Sequence, residues 1–240
     1  MKKCLALVFL VYSSITALQT YSGTDAKGRP LDHKLIKRMH ISNGIFIEVG
    51  ASDGVTQSNT CLLERNFGWT GILVEPSPIA YEQACTNRPN SHCFQCALGS
   101  FAEDGSSVCG DFNGALMSSV NGKRLFSPLS ISVPIRSLQS ILDEMAISHV
   151  NFFSLDTEGY EYNILQGIDF EKTSFDYILI EIYNWDYNSI VSFLANRGYQ
   201  LIECLSGYNH HDNPYWDGTH NDYLFVNNLL SKRQHLQGLY

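Results

Sequence analysis

The chain has 240 residues, with 24 acidic against 16 basic side chains and a formal net charge of −8. That length suits a single domain with a substantial core. The charge excludes nucleic-acid binding as the main task, because phosphate backbones require a basic face, and the densest basic groups, Lys34/Lys37/Arg38 and Lys232/Arg233, read as solvated surface.

Residues 1–17 read as a secretory signal: Lys2 and Lys3, the apolar run Cys4 to Tyr12, then the small residues Ser13, Ser14, Thr16 and Ala17. The run is short for a bilayer span, so no stable membrane anchor is expected. A buried first helix or strand is the alternative. A cleaved leader places the protein in the secretory pathway or outside the cytoplasm; a retained one leaves it cytoplasmic. Its removal leaves six cysteines, Cys61, Cys85, Cys93, Cys96, Cys109 and Cys204. An even number permits disulfides in an oxidising compartment without fixing their pairing. Cys93-x-x-Cys96 has no second Cys/His pair nearby, which argues against zinc.

Residues 18–44 form an arm and a short helix. Thr20 to Pro30 is polar and reads as a loosely held loop, while Leu35, Ile36 and Met39 recur at helical spacing within Leu31 to His40. The main domain follows at 45–228, with 229–240 as a tail. Strand one, Ile45 to Val49, runs into a Gly-rich turn, and Ser58 can cap the helix that ends near Gly68. Strand two is Gly71 to Glu75, broken by Pro76 and Pro78 before a helix at Ile79 to Thr86. His92 to Leu98 reads as strand three. Gly99 to Lys123 is a polar hairpin or excursion. Ser130 to Ile135 alternates like a strand, and Leu138 to Met145 is helical. Strands four and five are Val150 to Leu155 and Tyr177 to Ile182, with helices at Glu161 to Gly167 and Ser189 to Asn196. Tyr199 to Leu205 and Tyr223 to Val226 close the chain as an antiparallel edge. This alternation implies an α/β, Rossmann-like, doubly wound and mostly parallel sheet covered on both faces.

Ligands of such sheets bind beyond the carboxyl ends of the strands. Four strands carry acids there: Glu48, Glu75, Asp156 and Glu181. The turn after strand one reads Glu48-x-Gly50-x-x-x-Gly54, with Ser52 in place of the middle glycine of a dinucleotide fingerprint. Glu48 and Asp53 disfavour a pyrophosphate there and favour a cationic nucleoside ligand with a sulfonium and an ammonium. An acid after strand two can accept both ribose hydroxyls. These features favour S-adenosylmethionine, with Glu48, Gly50, Ala51, Asp53, Gly54, Glu75 and Pro76 as its candidate contacts. A ligand-free tight turn is the bland alternative.

LDTEGYE, Leu155 to Glu161, supplies the candidates for chemistry. Asp156 and Glu158 face the acceptor in this reading, whereas Glu161 suits the first turn of a helix. His220 precedes the last strand, where the loop Asn209 to Thr219 reaches over the same rim. Asp156, Glu158 and His220 are therefore the candidate catalytic residues. Asp156, Glu181, Asn184 and Asp186 could offer oxygens to Mg²⁺, with ordinary loop polarity as the alternative.

The stretches FIEVGASDGVTQSNTCLLE, WTGILVEPSP, NRPN, FFSLDTEGYEYNILQGIDF and NDYLFV together resemble the FkbM family of SAM-dependent methyltransferases, from about Phe46 to Val226. The resemblance implies a class I methyltransferase fold, a seven-stranded sheet with an antiparallel last strand. It also implies O-methylation of a hydroxyl on a sugar, glycan or small molecule. By position it places Glu48, Gly50, Gly54 and Glu75 at the cofactor and Asp156 to Glu158 beside the acceptor. The secretory-like leader departs from that pattern, since the cofactor is made in the cytosol. The rival expectation is a methyltransferase-shaped binding or structural protein without turnover. Acceptor identity and oligomeric state are not legible in the sequence.

Overall fold

The computed structural model describes residues 19–39, 42–113, 118–120 and 131–230. The expected leader and most of the tail lie outside them. In chain order the elements are α1 (Leu31–Met39), β1 (Ile45–Val49), α2 (Cys61–Phe67), β2 (Thr70–Val74), α3 (Pro78–Asn87), β3 (His92–Phe94), β4 (Ala97–Gly99), β5 (Ser107–Gly110), β6 (Ile131–Ser137), α4 (Leu138–Glu144), β7 (His149–Leu155), α5 (Glu161–Leu165), β8 (Ser174–Tyr183), α6 (Tyr187–Ala195), β9 (Tyr199–Cys204) and β10 (His220–Asn227). No helix among the described residues is long and apolar enough to cross a membrane.

Seven strands form one sheet in the order β3-β2-β1-β7-β8-β10-β9. All pairings from β3 to β8 are parallel, and β10 runs antiparallel to both its neighbours. The central strands are apolar on both faces because helices cover both. Alternate side chains point to opposite sides of a strand. Phe46, Leu73, Phe152, Tyr177 and Leu179 face one way and pack with Leu31, Leu35 and Met39 of α1 and Ala84 of α3. Ile47, Ile72, Phe153, Ile178 and Ile180 face the other way, against Leu138, Ile141 and Leu142 of α4 and Ile190 and Leu194 of α6.

Local chemistry sets the element ends. Ser77 accepts from the Ala80 amide and Pro78 opens α3, while Gly68 takes φ 68° to close α2. The expected cap Ser58 lies two residues before the cap position Thr60, yet its hydroxyl accepts from the Cys61 amide at 2.9 Å.

The structure corrects one strand of the sequence reading and adds the pairing of others. The single strand expected over His92 to Leu98 is two strands. β3 pairs with β2, whereas β4 joins a second sheet of order β4-β6-β5. The alternating segment near Ser130 is β6 of that small sheet, around a core of Ala97, Phe112, Val120, Val133 and Ile135. Alternation specifies a strand, and tertiary pairing chooses its partner. The antiparallel edge is as expected, and the structure adds its order: β10 inserts between β8 and β9, and β9 takes the edge.

The arm is also more firmly held than its polarity suggested. Asp32 accepts from the Tyr21 and Ser22 amides at 2.8 and 3.3 Å. Asp25, 4 % exposed, pairs with Arg29 and Lys34, each at 2.7 Å. Ser22 bridges to Gln57 in the turn after β1, and the Tyr208 hydroxyl donates to the Thr24 carbonyl at 2.5 Å. The arm thus ties the first half of the sheet to the loop before β10.

Candidate active site

β1 and β7 lie side by side at the centre, and the strand order runs away from them in both directions. This is the switch point at which open α/β sheets bind ligands. A cavity of about 320 Å³ opens there. Glu48, Gly50, Ala51, Glu75, Pro76, Asp156, Glu158, Glu181, His220 and Asp222 all contribute to its wall. Reversal of β10 explains the last two. An antiparallel strand begins where its neighbours end, so His220 pairs with Tyr183 and Asp222 with Glu181. Asp53 and Gly54 are not part of the wall, and the Asp53 carboxylate accepts from the Val55 and Thr56 amides within its own turn.

The turn after β1 is shaped by backbone needs. Gly50 has φ 81°, and a Cβ there would stand 1.8 Å from the Asp156 carbonyl oxygen. The glycine therefore lets the ends of β1 and β7 approach each other. The Ser52 amide then donates to Glu75 Oε2 and the Ser77 amide to Glu75 Oε1, each at 2.8 Å. Burial pushes the Glu75 carboxyl up despite these two donors.

Glu48 is engaged differently. Its carboxylate accepts from the Ser58 and Thr60 hydroxyls and from the Asn59 amide, each at 2.7 Å. It holds the loop that carries Asn59. The Asn59 side chain donates to Ser154 at 3.1 Å, and its Oδ1 is buried without a partner among the described residues.

The turn after β7 is strained. Glu158 adopts φ 58°, a conformation costly for a residue with a side chain. Glu161, fully buried, over-determines it by accepting from the Thr157 and Gly159 amides at 2.8 and 3.1 Å. The Tyr183 hydroxyl donates to Glu158 at 2.6 Å. Asp156, Glu158 and Glu181 each bring an oxygen within 4.8 Å of the others. Asn184 and Asp186 stand outside this group: the Asn184 side-chain NH₂ donates to the Gly218 carbonyl at 2.6 Å, and Asp186 begins α6.

Burial, and then the neighbouring carboxylates, push the Asp156 and Glu181 carboxyls well above their usual range. Burial raises Asp222 to about 6. His220 Nε2 lies 3.4 Å from Glu181 and Nδ1 3.5 Å from Asp217. The excess of negative charge favours cations, protons or hydrogen-bond donors in this part of the cavity.

A doubly wound sheet with one reversed strand has the topology of the class I methyltransferase fold, and acids gather at its carboxyl edge. A family model described as the methyltransferase FkbM domain matches residues 48–201. The chain belongs to this family, whose cofactor is S-adenosylmethionine. Among solved structures, the chain is similar to a TehB-like SAM-dependent methyltransferase from Corynebacterium glutamicum, at 11% identity over 82% of this chain and 87% of that one, with a TM-score of 0.45. It is also similar to a precorrin-6y C5,15-methyltransferase from Geobacter metallireducens, at 10% identity over 81% and 87%, with a TM-score of 0.44. A comparison with curated proteins found no match.

The residues present fit the cofactor. Glu75 stands at the tip of the second strand, Ala97, Leu98, Phe112 and Val120 give the cavity an apolar wall, and Asn59 Oδ1 is a buried acceptor without a partner. Sequence reasoning missed Asn59, Tyr183 and Asp222. The first two are ordinary loop and strand residues until the fold places them, and Asp222 reaches the acids only through the reversal of β10.

Proposed function

We propose that this protein transfers a methyl group to a hydroxyl oxygen of a neutral small molecule, sugar or glycan. One observation carries the reading: the acid at the tip of β2 and the three acids at the tips of β7 and β8 line one cavity. S-adenosylmethionine supplies, when bound, an electrophilic methyl on a sulfonium. Glu75 would accept the ribose hydroxyls, and Asn59 Oδ1 the ammonium. Gly50, Ala51 and Pro76 would line the cofactor, and Glu48 would hold the turn beneath it.

An aliphatic hydroxyl is a weak nucleophile and must lose its proton as the new bond forms. The Asp156 carboxylate takes that proton. Its raised proton affinity suits a general base, which contributes roughly 10²–10⁴-fold. Glu158, fixed by Tyr183, orients the acceptor through a second hydrogen bond, and His220 lies against Glu181 at the rim. Positioning supplies much of the remaining acceleration.

The test is Asp156→Asn. It should leave affinity for S-adenosylhomocysteine unchanged and lower kcat and kcat/KM together. Near-normal kcat would remove Asp156 from the chemistry and leave His220 as the candidate. A second reading rests on the proximity of the three carboxylates, which could hold a divalent cation that acidifies the hydroxyl. Loss of activity in EDTA, restored by Mg²⁺, would favour it.

A further inference from the structure

The segment NRPN precedes β3, and its arginine has no part in the chemistry above. Arg88 is fully buried at the end of α3. A guanidinium cannot shed its charge and is not buried without compensation. Its two terminal nitrogens serve one loop, and Nε serves the helix after it. Nη1 donates to the Gly54 carbonyl at 2.9 Å and to the Ser58 hydroxyl at 3.3 Å. Nη2 donates to the Thr60 hydroxyl at 3.2 Å, and Nε to Glu64 of α2 at 2.7 Å. The guanidinium lies 5.2 Å from the centre of the Phe46 ring and 3.9 Å from Glu48. Glu48 grips Ser58, Asn59 and Thr60 from the other side. The residue caught between the two is Asn59, with its unpartnered oxygen in the cavity wall.

We infer that Arg88 is a positioning residue for the cofactor: with Glu48 it clamps the loop from Gly54 to Thr60 and so holds Asn59 at the cavity. The charges decide how. Glu48 and Glu64 both face the guanidinium and compensate its burial, and its planar fork spreads donors over three oxygens of one loop. A flexible ammonium could keep the charge beside Glu64 but could not reach all three acceptors in fixed directions. Arg88 also meets the turn sterically, since a Cβ on Gly54 would stand 2.9 Å from Arg88 Cγ. The clamp acts through Asn59 and the turn, with no contact to the acceptor.

The inference rests on the cofactor reading, and calorimetry with S-adenosylhomocysteine separates the two. Wild type, Arg88→Met and Arg88→Lys are titrated well below their melting temperatures, beside Leu142→Ala, a core substitution remote from the cavity that also lowers stability. Arg88→Met should weaken binding roughly tenfold or more, and Arg88→Lys several-fold. Leu142→Ala should bind as wild type does. If Arg88→Met fails to fold, Arg88→Lys alone decides. Wild-type affinity in either folded Arg88 variant, or an equal loss in Leu142→Ala, would make Arg88 a brace of the fold only. Absence of binding by folded wild type would instead overturn the cofactor reading, and the clamp with it.

Discussion

Replacement of Glu75 by Gln examines the cofactor half of the site. Glu75 is 8 % exposed and accepts from two backbone amides, those of Ser52 and Ser77, at 2.8 Å each. Gln keeps the shape and one acceptor oxygen, but its NH₂ must face one of those N–H groups. The lost charge-assisted hydrogen bond costs about 1.5–3 kcal/mol, offset in part because a buried charge is removed. In the proposed cofactor pose the same change takes a charged acceptor from the ribose hydroxyls. A loss of about 1.5–3 kcal/mol there corresponds to roughly 10–150-fold in Kd. Calorimetry with S-adenosylhomocysteine reads this, at a temperature where near-ultraviolet circular dichroism shows both proteins folded. Binding within about twofold of wild type by folded Glu75→Gln would show that the carboxylate serves only the turn.

Gly50→Ala should be lost to the fold before it can report on ligands. Its Cβ would stand 1.8 Å from the Asp156 carbonyl at φ 81°, a cost above about 3 kcal/mol, and an unchanged thermal melt would contradict the close approach of β1 and β7. Asp222→Asn should flatten the acid side of the stability profile. Burial raises the folded carboxyl from 3.8 to about 6, so the folded state holds a proton that the unfolded chain has released. That stabilisation is full below the unfolded value and is lost as pH climbs through the folded one. Urea midpoints of wild type should therefore fall between about pH 4 and pH 7 by more than those of Asp222→Asn, and parallel profiles would refute the assignment.

Much of the fold was legible because its signals are local. Apolar runs such as Ile45 to Val49, closed by glycine, and the helix closed by Gly68 follow from periodicity and backbone freedom. The carboxyl-edge acids were found the same way, since a strand tip is visible in a sequence. What an acid does at that tip was less visible. Glu48 lies inside β1, opposite Leu73, and is drawn to Ser58, Thr60 and the distant Arg88, while Glu75 follows the end of β2 and holds the turn entering α3. The split of His92 to Leu98 between two sheets depends on partners supplied by β2 and β6. The arm was misjudged because its anchors, Asp25 and Asp32, look like surface acids until Lys34 and the Tyr21 amide meet them.

Methyl transfer to oxygen can be followed with S-adenosylmethionine bearing a deuterated methyl. Folded wild-type protein and Asp156→Asn are incubated with a pool of neutral hydroxylated metabolites and glycans, and mass spectrometry locates the label. The proposed function predicts label on a hydroxyl oxygen, with S-adenosylhomocysteine released in equal amount, by wild type and not by Asp156→Asn. Label placed on nitrogen or carbon, or transferred equally well by Asp156→Asn, would contradict it.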